Sequence, residues 1–166
     1  MNGFLLDTNS LSALRRPAEN QALIEFLRVQ PSYFLHTSTL NFAEIRRGIE
    51  LKQDAVQRAD LVLWLENVVR PLFEERVHDI SEDVLLRWLF IIAEGRSRGH
   101  THSNQDSLIA AVAVVHQLVV ITRDETHFVR AGVPTLDPWR STYYDYEGQA
   151  HAIANLVSAT LINELP

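Results

Sequence analysis

The chain has 166 residues, 46% hydrophobic and 22% charged, with a formal net charge of -6. That is one domain's worth of ordinary globular composition, which argues against a disordered protein or a coiled coil. It has no cysteine, which excludes a disulfide scaffold, Cys-ligated zinc, iron–sulfur ligation and thiol catalysis.

Gly3-Phe4-Leu5-Leu6 is a short apolar run that ends at Asp7, and Thr8-Asn9-Ser10 are residues that cap helices. We read a strand, a polar corner and a short helix stopped by Pro17. No basic flank precedes this run, so it does not resemble a signal peptide, and no apolar stretch approaches the roughly 20 residues that span a bilayer. A cytoplasmic protein without membrane association is expected. Ala22–Leu27 predicts a second helix, Tyr33–Thr37 a strand, and Ser38 or Thr39 the cap of a helix over Leu40–Leu51. Asp54–Val69 has helical periodicity halted by Pro71. Arg76–Ile80 reads as a strand. Glu82–Glu94 reads as a long helix, apolar over much of its circumference and therefore buried on more than one side, with Gly95 as its terminating glycine. A loop over Arg96–Asn104 leads to an almost wholly apolar helix from Asp106 to Gln117. Leu118–Thr122 is a continuous apolar strand, the mark of a strand covered on both faces. Gly132–Leu136 predicts a final edge strand, and the tail predicts a helix over about Ala150–Ile162. Helices and strands alternate, as in an α/β protein with a largely parallel sheet.

In such sheets function gathers beyond the carboxyl ends of the strands. Four carboxylates fall there: Asp7 after the first strand, Glu44 in the helix after the second, Asp106 opening the buried helix, and Asp124 after Thr122. Each also has an ordinary explanation. Asp7 is a helix cap, Ser103 and Asp106 have capping-box spacing, Glu44 is a surface residue beside Arg47, and Asp124 is a turn residue. Convergence is what caps do not require. Two carboxylates about 4 Å apart repel by about 4 kcal/mol at an effective dielectric near 20, so a cluster either takes up protons or recruits a cation. An all-oxygen set suits Mg²⁺ or Mn²⁺, which activate water and meet phosphate oxygens.

The text around these residues is Leu5-Leu6-Asp7-Thr8-Asn9, Phe42-Ala43-Glu44-Ile45-Arg46-Arg47-Gly48, Asp106-Ser107-Leu108-Ile109-Ala110-Ala111, Thr122-Arg123-Asp124 and Pro138-Trp139. In order and spacing it resembles the PIN-domain ribonucleases, specifically the VapC-type toxins of bacterial toxin–antitoxin pairs in the FitB-like branch. The resemblance covers about residues 3–139. It implies a PIN-like α/β/α sandwich with a mostly parallel five-stranded sheet over residues 1–139, followed by a partly helical extension over 140–166. It also implies a Mg²⁺- or Mn²⁺-dependent endoribonuclease, a homodimer, and silencing by a cognate antitoxin. By motif match Asp7, Glu44, Asp106 and Asp124 are the catalytic acids. Asp7, Asp106 and Asp124 hold the metal, and Thr8 and Asn9 support them. Asp137-Pro138-Trp139 stands where Asn-Pro-Trp is commoner.

The RNA needs cations. The chain has 14 Arg and one Lys, and arginine suits bidentate phosphate contact. Arg15 and Arg16 are the first candidates, ahead of Arg46, Arg47, Arg96, Arg98 and Arg123. Lys52 lies outside any Gly-rich loop, against a P-loop. His100 and His102 lack an evident third ligand for zinc. Trp64 and Trp88 read as core. The alternative function is a catalytically weak domain that binds a partner and regulates transcription. A phosphoryl-transfer domain fits poorly, because Asn9 stands where a dehalogenase-type site wants its second Asp.

Overall fold

The computed structural model describes residues 1–99 and 103–165. His100 and His102 lie outside them. The chain begins with β1 (Gly3–Leu6), followed by α1 (Thr8–Ala13), α2 (Gln21–Val29), β2 (Leu35–Ser38) and α3 (Thr39–Glu50). Next come α4 (Ala55–Trp64), a π-helical stretch Leu65–Val69, α5 (Arg70–Phe73), β3 (Val77–His78) and α6 (Glu82–Ser97). The C-terminal half holds α7 (Asn104–His116), β4 (Leu118–Ile121), α8 (Thr126–Arg130), β5 (Thr135–Asp137), β6 (Thr142–Tyr144), β7 (Ala150–Ala152) and α9 (Leu161–Glu164).

The strands form one sheet in the order β3-β2-β1-β4-β5-β6-β7. The first five are parallel, and β6 and β7 add on antiparallel. Strand side chains alternate between faces, and here that alternation sorts two cores. Phe4, Leu6, Val119 and Ile121 pack with Phe26, Phe42, Ile45 and Leu65 on one face. Leu5, Leu118 and Val120 pack with Ile91, Ile109, Val112 and Phe128 on the other. The result is the expected α/β/α sandwich. At Gly3 an added Cβ would lie 2.5 Å from the Phe34 carbonyl oxygen and 2.9 Å from the His36 ring, so only glycine lets β1 approach β2 here.

Several expectations change. The sheet has seven strands rather than five, and β5 is internal rather than an edge. The extra pair comes from the tail. Its predicted long helix is absent: Ala150–Ala152 is β7, and only Leu161–Glu164 is helical. A turn drives this, with Gly148 at φ +77° and the Asp145 carboxylate accepting from the backbone N–H of Glu147 and Gln149. The turn folds β7 back on β6, whose Tyr143 is fully buried. Leu161 and Ile162 then join the first core. Pro71 does not end its helix. It falls at the start of α5, just after the π-helical turn, where a helix tolerates a missing N–H. Gly95 is inside α6 and buried. The terminating glycine is Gly99, at φ +74° and donating to the Arg96 carbonyl.

The most consequential difference concerns α6. It buries Val84, Ile91 and Gly95, while Leu86, Leu89 and Phe90 are 49%, 57% and 61% exposed. It is a one-sided outer helix packed along α7, not a central one. Among the described residues no helix is long and apolar enough to cross a membrane.

Candidate active site at the switch point of the sheet

From β1 the chain steps to β2 on one side, while β4 lies on the other. That is a switch point, where crevices open in doubly wound sheets. Asp7 follows β1 there and caps α1, its Oδ1 accepting from the Ser10 N–H at 2.6 Å. Thr122, just past β4, donates its hydroxyl to Asp7 Oδ2 at 2.7 Å. The Ser10 hydroxyl donates to the Ile121 carbonyl at 2.7 Å, locking α1 to β4. Asp7 is only 4% exposed. Burial, with a lesser push from the Asp106 charge, raises its carboxyl to about 6 against the downward pull of the Thr122 and Ser10 hydrogen bonds.

The other acids are placed by their own segments. In α3 a capping box joins Ser38 and Asn41. The Asn41 side-chain amide donates to the Thr8 hydroxyl oxygen at 3.1 Å, and that hydroxyl donates to Glu44. Thr8 therefore orients Glu44, while Ser10 and Thr122 orient Asp7. Asp106 sits in the first turn of α7. Its N–H donates to Ser103 Oγ at 3.0 Å, and the Ser103 hydroxyl donates back to its carboxylate at 2.5 Å. The Asp124 N–H donates to Thr122 Oγ1 at 3.0 Å, leaving its side chain exposed beside Asn9. Thr122 thus joins Asp7 to Asp124. Capping and convergence coexist at Asp7 and Asp106.

The cations are arranged differently from the sequence expectation. Arg15 is paired with Asp60 at 2.5 Å and lies 5.8 Å from the Trp64 ring, and Arg16 pairs with Glu19 at 3.6 Å. Arg46 pairs with Glu50. Arg123 has no carboxylate partner among the described residues. Two cavities meet around it. One, of about 490 Å³, is lined by Asn9, Asn20, Arg123, Asp124, Trp139 and Arg140. The other, of about 630 Å³, runs past Thr8, Arg15, Arg16, Glu44 and Lys52 to Trp64 and shares Ala13, Asn20 and Arg123 with the first. Sequence reasoning gave no role to Asn20, Thr122, Asn41 and Trp139, although Thr122 and Trp139 stand in the motifs quoted above. The Ser38–Asn41 capping spacing was a readable signal, and Asn20 is isolated in sequence. Trp64 and Trp88 are partly buried against the cores, as expected.

Mg²⁺ keeps several waters and needs only one or two carboxylates. Among the described residues no three His, Cys, Asp or Glu are grouped closely enough to hold a metal. The donor chemistry nevertheless fits a hard cation. It consists of oxygen ligands only, with Asp7 and Asp106 close enough that the charge of one raises the carboxyl of the other.

An α/β/α sandwich with a buried aspartate at its switch point, coupled to Asp106 and joined through Thr122 to Asp124, defines a class of domain whose polar crevice lies at the carboxyl edge of its sheet. The chain belongs to the PIN-domain family, whose sequence profile matches residues 4–133. A VapC ribonuclease of Sinorhizobium fredii is 30% identical over 135 residues, covering 81% of this chain and 96% of that protein. Toxin FitB of Neisseria gonorrhoeae is 32% identical over 135 residues, covering 81% and 97%. The crystal structure of FitAcB from Neisseria gonorrhoeae superposes with a TM-score of 0.77 at 32% identity, over 82% of this chain and 98% of that one.

Proposed function

We propose that the chain is a divalent-metal-dependent endoribonuclease, the toxin of a toxin–antitoxin pair, acting in the cytoplasm. The observation that carries this reading is the buried Asp7 at the switch point, near enough to Asp106 to feel its charge, with Thr122 bonding both Asp7 and the backbone of Asp124 and with Thr8, next to Asp7, bonding Glu44. The ribonuclease and toxin names of the relatives support it. Asp7, Asp106 and Asp124 would hold Mg²⁺ or Mn²⁺. When bound, such an ion supplies an activated water and charge stabilisation at a phosphodiester. Of the chain's own groups, Thr8 and Asn41 fix Glu44 at the rim, where its carboxylate can order water. Asn9 lies exposed beside Asp124 to support the ligands. Arg15 and Arg16 can meet the RNA only by releasing Asp60 and Glu19.

Residues 1–139 form the nuclease unit in this reading, and 140–166 form an extension that widens the sheet. The apolar outer faces of α6 (Leu86, Leu89, Phe90) and of α4–α5 (Val56, Leu63, Leu72) are the surfaces for a second copy and for the antitoxin. The test is expression with and without the small reading frame directly upstream, followed by sequencing of RNA ends. New ends that appear only without the upstream product, and that vanish in Asp7→Asn, are expected. Unchanged ends in the active protein would reject the activity.

A further inference from the structure

We propose that Arg123, clamped between Trp139 and Asn20, is the phosphate-binding side chain that seats single-stranded RNA across the acidic edge, and that the two cavities meeting at it are the nucleotide subsites on either side. This rests on the ribonuclease reading and names how that site holds its substrate.

The clamp is built from three distant segments. The Arg123 guanidinium carbon lies 4.3 Å from the Trp139 ring centroid, within cation–π range. Its Nη2 donates to Asn20 Oδ1 at 3.1 Å, and Trp139 Nε1 donates to the same oxygen at 3.1 Å. Asn20 is itself 7% exposed and tied by its amide to the Ala13 and Arg16 carbonyls. Trp139 is aimed by Asp137, whose Oδ1 accepts from the backbone N–H of Trp139 at 2.8 Å and of Arg140 at 3.2 Å. The aspartate found where asparagine is commoner therefore acts as the cap of the turn that presents the indole.

An arginine held in this way has already lost most of its rotamer freedom, so ordering it on a ligand costs little. Only one of its five N–H donors is engaged by the described residues. Of the arginines lining the two cavities, Arg15, Arg16 and Arg140 have carboxylate partners, and Arg123 has none among the described residues. A phosphate meets the charge of Arg123 without displacing an acid. Thr122 on one side bonds Asp7, and Asp124 on the other faces the cavity, so the anchor stands in the chain between the residue that holds one acid and a second acid. Open space on both sides of Arg123 fits a ligand that continues past it in two directions with charge in its backbone. That favours a nucleic-acid strand over a single acidic side chain of a protein.

The test uses the full-length Asp7→Asn protein as a non-cleaving parent and a short fluorescein-labelled single-stranded RNA of mixed sequence, read by fluorescence anisotropy across a salt series. Adding Arg123→Ala is expected to weaken binding about tenfold or more. It should also reduce the magnitude of the slope of log affinity on log salt by about 0.7, one phosphate contact on a single strand. Trp139→Ala should weaken binding while keeping the slope, since it removes the clamp and not the charge. Arg16→Ala should cost less than Arg123→Ala. Parent affinity and slope in the Arg123→Ala protein, with an unchanged melting temperature, would overturn the proposal, as would a parent that binds no RNA. So would unchanged RNA binding combined with lost co-purification of the upstream-encoded protein, which would assign the arginine to a protein partner. Cleavage by the unmodified protein in Mg²⁺ or Mn²⁺ is scored separately. If it cuts no RNA while the parent binds through Arg123, the nuclease reading fails and this one stands.

Discussion

Two groups of titratable side chains lie in different parts of this sheet, and burial acts on them in opposite senses. One is the acidic edge at the β1–β4 switch point. The other is a histidine stack formed by His36 of β2, His78 of β3 and His116 at the end of α7. The His36 and His78 rings are 25° from coplanar with facing nitrogens 3.2 Å apart, and His116 stacks on His78 with centroids 3.8 Å apart. Burial raises the Asp7 carboxyl, but it lowers all three histidines, helped at His36 by Arg76 and then His116, and at His78 by His116 and His36. Loss of hydration disfavours the charged form in both places. The stack meets that demand by staying neutral at pH 7. The edge does not, because Asp7 carries its charge above about pH 6. Buried carboxyls shifted in this way cluster at functional sites more than elsewhere in folds.

The largest expected effect separates the two regions by activity. Asp7→Asn or Asp106→Asn should abolish RNA cleavage, measured on purified protein, while His78→Phe should leave cleavage within a few-fold at pH 7.5. Loss of cleavage in His78→Phe alone would break the distinction.

Next comes stability. The Asp7 carboxyl moves from 3.8 to about 6 on folding, so the folded state binds more protons between those values, and the ionised form costs stability that is fully felt above about pH 6. Two units correspond to roughly 3 kcal/mol, reduced by about 1 for an imperfect hydrogen bond in the variant. Metal-free Asp7→Asn should therefore be more stable by about 2 kcal/mol at pH 7.5 in urea denaturation, and the gain should fade as pH approaches 4. A variant less stable than the parent at pH 7.5 would show that the carboxylate is not strained.

The stack should show the opposite slope. His78 is pushed down to about 4, so the unfolded chain binds the extra proton between pH 6.5 and 4. The stability from keeping His78 neutral is complete above 6.5 and is lost as pH falls towards 4. His78→Phe should flatten that decline by about 1–2 kcal/mol once partial exposure is allowed for. An unchanged curve would mean that the stack does not titrate as a unit.

The smallest effect belongs to a control remote from both. Phe90→Ser on the outer face of α6 should change unfolding free energy by about 0.5 kcal/mol or less with neither pH signature, because the ring is 61% exposed. The same change should shift the oligomeric state in light scattering if a second copy covers that face.

Much of this was readable along the chain. Leu118–Ile121 and Gly3–Leu6 are apolar at every position, and all eight of their residues are buried. Asp7, Ser38, Asp54, Ser81 and Ser103 cap helices because their short polar side chains precede helical runs. These are local signals, carried by neighbours within four residues. The misreadings share another origin. The α6 sequence is apolar over much of its circumference, yet whether a partner element covers each side is decided by segments that come from elsewhere in the chain. The tail's apolar residues fit a helix by periodicity, but the Asp145–Gly148 turn and the open edge of β5 draw them into a sheet.

The same division applies to the site. Sequence alone determined which carboxylates follow which strands, because strand ends and helix caps are set by short stretches of backbone and side chain. Tertiary structure decided that Thr122 holds Asp7, that Thr8 serves Glu44, and that Arg15 pairs with Asp60 while Arg123 bonds Asn20. Those pairings join residues 36 to 115 positions apart. Hydrogen bonds and ion pairs depend on ångström-scale proximity in space, which spacing along a chain does not encode.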